Sequence, residues 1–166
     1  MEVRGEERGG NHDINNRWEQ ALRRYGDMVY RLALVRTGHK QDAEDLTQNV
    51  FLIYASRLRQ GFGFEGEEHE KAWLIRVTIN QSKNLFASAW FRHRTALSEE
   101  ISVSQPACSD VYFAVQSLPE RYRTVIHLYY YEGYDVKEIG SLLGKKENTV
   151  KSLLKRGRDR LRRLLA

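Results

Sequence analysis

The side chains best suited to chemistry in this chain are cations and amides at helical spacing, and that chemistry is recognition rather than bond making. From Lys145 to Ala166 there are nine Lys and Arg residues against Glu147 and Asp159. This stretch therefore carries +7 of a chain whose total is +5, leaving −2 for everything before it. Charge concentrated at one end makes a localised contact with phosphate. A solvated basic helix end has the same composition, so spacing must decide between them. A second set, Arg76, Asn80, Lys83 and Asn84, falls four, seven and eight residues beyond its first member and puts hydrogen-bond donors on one helical stripe. A third, Asp45, Gln48, Asn49 and Leu52, includes an apolar residue on a face that should be wet. Lone exposed leucines are common, so Leu52 alone says little.

Catalytic arrangements are poorly supplied. Asp42, Glu44 and Asp45 with His39 suggest a metal site, and His12-Asp13 a phosphohydrolase centre. Yet Asp42 and Glu44 point to different sides of a helix, and carboxylates at a helix start are ordinary partners of its dipole. No second carboxylate or histidine cluster completes a site, so no enzyme, metal or cofactor is expected. Cys108 is the only cysteine, which excludes an internal disulfide and zinc-type spacing. No apolar run approaches the ~18 residues of a membrane span, and the charged, glycine-containing start is unlike a signal peptide. A cytoplasmic protein with no stable membrane insertion is expected.

These groups need elements to hold them. Hydrophobic residues make up 41% of the 166, with two prolines, and recur at helical spacing, so an all-α protein is expected. Residues 1–12 are polar and glycine-rich and read as disordered. Trp18, Leu22, Tyr25, Val29 and Leu32 predict a helix over 16–37, stopped by Gly38. A second, over 41–60, buries Ala43, Leu46, Val50, Ile53 and Tyr54. The glycines of 61–66 make a loop. A third helix, 70–94, has Ile75, Ile79, Phe86 and Trp90 opposite the Arg76 to Asn84 stripe. Residues 95–110 lose the period and read as a flexible linker.

Past the linker the spacing predicts short helices at 111–117 and from Pro119 to just before Gly133. Asp135 and Glu138 stand in capping-box register at the start of a helix over 136–143. Gly144 then makes a turn into a basic helix over 148–164, with Ile139, Leu142, Leu143, Val150, Leu153 and Leu154 as the shared core. Short helix, glycine turn and basic helix form a helix-turn-helix pattern. An ordinary helical hairpin fits too, but the charge on its second helix favours DNA. The expectation is two small helical domains, 13–94 and 111–166, joined by the linker, the C-terminal one a helix-turn-helix.

Three stretches in order resemble a known family. Leu118-Pro119-Glu120-Arg121-Tyr122-Arg123-Thr124-Val125, continued by Tyr134 to Ile139 and Thr149 to Ser152, resembles the promoter-reading domain of extracytoplasmic-function (ECF) sigma factors. Asp42-Ala43-Glu44-Asp45-Leu46-Thr47-Gln48-Asn49-Val50-Phe51-Leu52 is similar to that family's polymerase-binding helix. Ala72-Trp73-Leu74-Ile75-Arg76-Val77, with Asn80 and Lys83-Asn84, resembles its helix for the melted −10 element. The likeness covers residues 16–165.

The resemblance implies a sigma factor that binds core RNA polymerase and promoter DNA, restrained by a separate anti-sigma partner. The chain ends soon after its DNA-reading helix, so no appended regulatory domain is expected. Asp45, Gln48, Asn49 and Leu52 would meet the polymerase. Arg76, Asn80, Lys83 and Asn84 would meet the opening −10 element, one base flipping into a pocket beside the 62–66 loop. Lys151, Ser152, Lys155 and Arg156 would enter the major groove of the −35 element, with Arg158 and Arg160 nearer the backbone.

Some positions depart from the family pattern. Lys145 and Lys146 replace an apolar residue and a hydroxyl, so Asn148 is the substitute cap for the last helix. Leu153 stands where an arginine is common, and Asn49 replaces a frequent acid. Glu65, Glu67, Glu68 and Glu70 put negative charge beside the expected base pocket. A stand-alone helix-turn-helix regulator is the rival reading, but residues 16–94 show no coiled-coil heptad for dimerisation and no pocket signature.

Overall fold

Helix-forming stripes and glycine stops set the architecture of the computed structural model, which describes residues 6–92 and 110–166. Most of the expected linker lies outside the described residues. Helix α1 (Glu6–Thr37) buries Ala21, Tyr25, Met28, Val29, Leu32 and Ala33. It ends where Gly38, at φ 72°, donates its N–H to the Leu34 carbonyl at 2.8 Å. A residue with a Cβ would be strained in that left-handed cap. Helix α2 (Lys40–Arg59) packs Ala43, Leu46, Val50, Phe51, Tyr54 and Leu58 inward, and α3 (Glu67–Arg92) adds Leu74, Ile75 and Ile79. Trp18 fastens α1 to α2 by donating its indole N–H to the Phe51 carbonyl at 3.1 Å.

The second half is built from shorter pieces. Helix α4 (Asp110–Gln116) leads to α5 (Glu120–Ile126), which runs into a π-helical turn over His127–Tyr131. The Glu132 N–H reaches back to the His127 carbonyl at 3.1 Å, the five-residue step of a π turn. Helix α6 (Val136–Leu143) opens with a reciprocal capping box, Glu138 N–H to Asp135 and Asp135 N–H to Glu138, both at 2.8 Å. It closes on Gly144 at φ 63° and turns into α7 (Glu147–Leu165). Ile139 and Leu142 of α6 meet Val150 and Leu154 of α7 in the buried core. The turn is tight: a Cβ on Gly140 would stand 2.7 Å from the Lys145 carbonyl oxygen.

Among the described residues the chain is all helix, ending in a helix-turn-helix, and four expectations need correction. Residues 6–12, read as disordered, are helical, because extending an established helix costs far less than starting one. Leu22 is 37% exposed, since the buried stripe of α1 runs through Ala21 and Tyr25 instead. Phe86 is also 37% exposed, as no described side chain of 83–88 is buried and α3 runs clear of its core there. The N-cap of α7 is Lys146, not Asn148, and its side chain makes no capping hydrogen bond. Asn148 is the second residue of the helix, two positions past the cap.

Candidate functional site

The three candidate surfaces occupy three different helices. On α2, Asp45, Gln48, Asn49 and Leu52 are all exposed, Leu52 at 67%. Their spacing of three, four and seven residues puts them on one face, away from Val50 and Phe51. Asp45 accepts from the Gln41 amide at 3.2 Å, and Asn49 donates to Gln81 at 3.0 Å, linking this face to α3.

On α3, Arg76, Asn80, Lys83 and Asn84 are exposed along the stripe opposite Ile75, Ile79 and Ser82. Arg76 is engaged, donating to the Ser141 hydroxyl of α6 at 3.1 Å. The loop before α3 is pinned by rings: Phe64 stacks on Tyr54 at 5.8 Å and leans on Trp73 at 5.4 Å. The Arg57 guanidinium lies about 5 Å from the rings of Phe62, Phe64 and Trp73. Beside this loop an open cleft of about 240 Å³ is lined by Arg17, Gln20, Arg24, Tyr54, Phe64 and Glu70, among others. None of the four residues of the α3 stripe lines it.

The acidic run is less repulsive than its composition suggests. Glu67 is paired with Arg24 at 2.5 Å, and Glu70 accepts the Tyr54 hydroxyl at 2.5 Å. Burial, then the bond to Glu70 and its charge, pushes the Tyr54 hydroxyl well above its usual range, so it stays a donor.

On α7, Lys151, Ser152, Lys155, Arg156, Arg158 and Arg160 are all exposed. The first four lie within the first ten residues of the helix and the buried line Val150, Leu154 and Gly157 faces away. Lys151 pairs with Glu147 at 2.9 Å, a surface contact that a phosphate can replace. Lys155 and Arg156 make no ion pair or hydrogen bond among the described residues. Arg158 donates to the Tyr130 hydroxyl at 3.4 Å, and Arg160 lies 5.1 Å over the Tyr122 ring. Leu153, in place of a common arginine, is half-buried against the core. Among the described residues no group of three or more His, Cys, Asp or Glu could hold a metal, and no helix is long and apolar enough to cross a membrane.

Sequence reasoning missed the residues that join the two halves. Arg36, 5% exposed near the end of α1, is paired with Glu120 of α5 and donates to Thr124 at 3.1 Å and to Ser82 of α3 at 2.8 Å. Burial, with neighbouring Arg123 adding repulsion, pushes its guanidinium down to about 10. Arg123 donates to the Val35 carbonyl at 2.9 Å and the Gln116 carbonyl at 2.8 Å, serving the open ends of α1 and α4. Burial lowers its pKa as well. Lys71 of α3 stands 3.6 Å from Glu132, whose other oxygen is 3.3 Å from His127 Nε2. The signal was there to read: Arg36 lies four and seven residues beyond Leu32 and Val29, and Ser82 seven beyond Ile75. Both are polar residues on otherwise buried stripes.

Comparison with known proteins agrees with this geometry. Residues 21–92 match the family described as sigma-70 region 2, and residues 109–161 that described as sigma-70, region 4. The ECF RNA polymerase sigma factor SigE of Mycolicibacterium smegmatis is 34% identical over 164 residues, covering 90% of this chain and 62% of SigE. The chain thus spans about three fifths of that relative's length. The ECF sigma factor SigM of Mycobacterium tuberculosis is 30% identical over 154 residues, covering 89% of this chain and 76% of SigM. The fold is similar to that of the sigma factor RpoE solved with the anti-sigma factor NepR from Bartonella quintana. That match has a TM-score of 0.66 at 22% identity, over 89% of this chain and 95% of the other. On these matches the chain belongs to the ECF sigma factors of the sigma-70 family.

Proposed function

We propose that this chain binds core RNA polymerase and directs promoter-specific initiation by reading −35 duplex and the melted −10 element. The observation that supports the reading is two exposed polar surfaces of different chemistry on one chain, each suited to a different form of nucleic acid. Exposed Lys151, Ser152, Lys155 and Arg156 occupy the early turns of the second helix of a helix-turn-helix, the part that meets base edges in the major groove. Arg76, Asn80, Lys83 and Asn84 offer amides for base edges and cations for phosphates to a separated strand. A stand-alone helix-turn-helix regulator has use for the first surface and none for the second.

In this reading residues 13–94 form the polymerase- and −10-binding domain, 111–166 the −35-binding domain, and 95–110 the connection. Asp45, Gln48, Asn49 and Leu52 contact the polymerase. The chain works in the cytosol by binding and orienting DNA, with no catalysis of its own. An anti-sigma protein restrains it, as the RpoE–NepR pair supports for a relative of the same fold. Transcription in vitro by core polymerase with and without the chain, followed by start-site mapping, tests the proposal. Starts at a common promoter pattern only with the chain present are expected. Binding to promoter duplex by the isolated chain, with no effect on polymerase, would favour the rival regulator.

A further inference from the structure

We infer that Tyr130, carried outward by the π turn, positions Arg158 so that the two side chains together hold one phosphate of the −35 duplex; this rests on the reading just given. Arg158 donates to the Tyr130 hydroxyl oxygen at 3.4 Å, across the junction between the π turn and α7. Both side chains are exposed.

The backbone brings the pair together. Helix α7 comes very close to α5 at buried Gly157, where a Cβ would stand 2.8 Å from the Ile126 side chain. Ile126 is the last residue of α5 and Arg158 follows Gly157, so this approach sets Arg158 beside the π turn. The wider turn keeps His127 and Leu128 buried and leaves Tyr129, Tyr130 and Tyr131 outside, Tyr130 at 58% exposure. Tyr129 packs edge-on against Tyr130 with centroids 4.9 Å apart, which limits where the Tyr130 hydroxyl can point. Tyr131 differs. Its ring stacks on His127 at 5.3 Å, and its hydroxyl makes no hydrogen bond among the described residues.

The chemistry of the pair suits an anion. A phenol hydroxyl both accepts and donates, whereas a guanidinium only donates. Accepting from Arg158 leaves the Tyr130 proton to donate elsewhere, and Arg158 keeps further N–H groups for the same acceptor. On duplex DNA an acceptor with several oxygens that can take both is phosphate. The 3.4 Å separation exceeds the ~3 Å of a saturated bond, so the pair is oriented with room to close on a ligand. Asp159, the neighbouring carboxylate, is turned to Arg162 at 3.5 Å and leaves that room open. A guanidinium held in advance also loses less rotamer freedom on binding. Position agrees with phosphate rather than base, because Arg158 lies beyond the early turns of α7 that meet base edges.

Binding of the complex of core polymerase and chain to −35 duplex tests the pair, with one backbone phosphate at a time replaced by uncharged methylphosphonate. Tyr130→Phe removes only a hydroxyl and should weaken binding about three- to tenfold, on matched and scrambled fragments alike. The parent should lose affinity at one phosphate where Tyr130→Phe and Arg158→Ala both lose little further. The double variant should lose less than the product of the two single losses, because the residues act as a unit. Tyr131→Phe removes a hydroxyl one residue away and should bind as the parent does. Parent-like binding by Tyr130→Phe, losses that multiply, different phosphates for the two residues, or an equal loss with Tyr131→Phe overturns the pair. A parent complex that binds −35 duplex no better than core polymerase alone would instead remove the reading of α7 as a DNA-binding helix, and the pair with it.

Discussion

Phe51 and Leu52 are successive residues of α2 with opposite surroundings: Phe51 is 2% exposed and edge-on to Trp18, while Leu52 is 67% exposed. An exposed leucine between Gln48 and the buried line of α2 is what a partner-facing surface needs. Leu52→Glu should place a charge in the polymerase interface and weaken core binding by roughly 2–4 kcal/mol, the hot-spot scale. The melting temperature should hardly change, because the side chain packs against nothing it would disturb. Pull-down with core enzyme and a thermal melt check both halves. A lowered melting point with unchanged binding would remove α2 from the polymerase contact.

The turn of the helix-turn-helix depends on Gly140. A Cβ there meets the Lys145 carbonyl oxygen at 2.7 Å, a backbone atom already tied by the Lys145 N–H to Gly140 at 2.8 Å. Gly140→Ala should therefore destabilise the chain by about 1–3 kcal/mol, the range for overpacking. It should also lower affinity for −35 DNA by shifting α6 against α7. Gly63 is the control, because a Cβ on it meets nothing within 4 Å. Gly63→Ala should stay within about 0.5 kcal/mol. Equal melting of the two variants would mean that the turn relaxes freely around the added methyl.

How much of this could be read beforehand depends on range. Asp135 with Glu138 announced the start of α6, and Gly144 its end, because caps are local chemistry between residues a few positions apart. Lys155 and Leu52 could be placed outside their helices by counting from Leu154 and Val50. Leu22 could not be placed inside or outside, since Ala21 and Leu22 compete for the same stripe and only the partner helix decides. The union of Arg36 with Glu120 joins residues 84 apart, and no helical period connects them. The period did show Arg36 on a buried stripe, which is a question without an answer until α5 is in place. The π turn was equally invisible, and it is what turns Tyr129, Tyr130 and Tyr131 outward while His127 and Leu128 stay buried.

Acid should loosen the contact between α3 and the π turn. Burial alone would raise the Glu132 pKa, but His127 at 3.3 Å and the charges of Lys71 and Arg31 outweigh it and hold it below its ordinary value of 4.5. A carboxylate depressed in the folded state stabilises fully above its ordinary range, and this stability is lost as pH falls through 4.5 toward the folded value. Glu132→Gln should cost about 1–3 kcal/mol at neutral pH, because it leaves the partly buried Lys71 ammonium without its carboxylate. Its acid decline should be shallower than the parent's between about pH 5 and 3. Thermal melts across that window report both effects. Parallel curves for parent and variant would mean that Glu132 titrates alike in the folded and unfolded chains.

The last helix should separate sequence reading from charge. Lys155 is exposed, lies within the first half of α7, and makes no ion pair or hydrogen bond among the described residues, so its ammonium is available to a base edge. Arg160 comes later and lies over Tyr122, which holds its guanidinium to the protein surface where a phosphate can still reach it. Lys155→Ala should then cost about 1–3 kcal/mol at the preferred −35 sequence and much less on scrambled DNA. Arg160→Ala should weaken both alike and reduce the salt slope by about one. Because it also loses the ring contact, Arg160→Ala should lower the melting point slightly, by an amount matching about 0.5 kcal/mol. Holoenzyme binding to matched and scrambled −35 fragments, titrated over salt, distinguishes the two residues. Equal losses on both fragments for Lys155→Ala would make α7 an electrostatic anchor, and base reading would then have to come from another part of the helix-turn-helix.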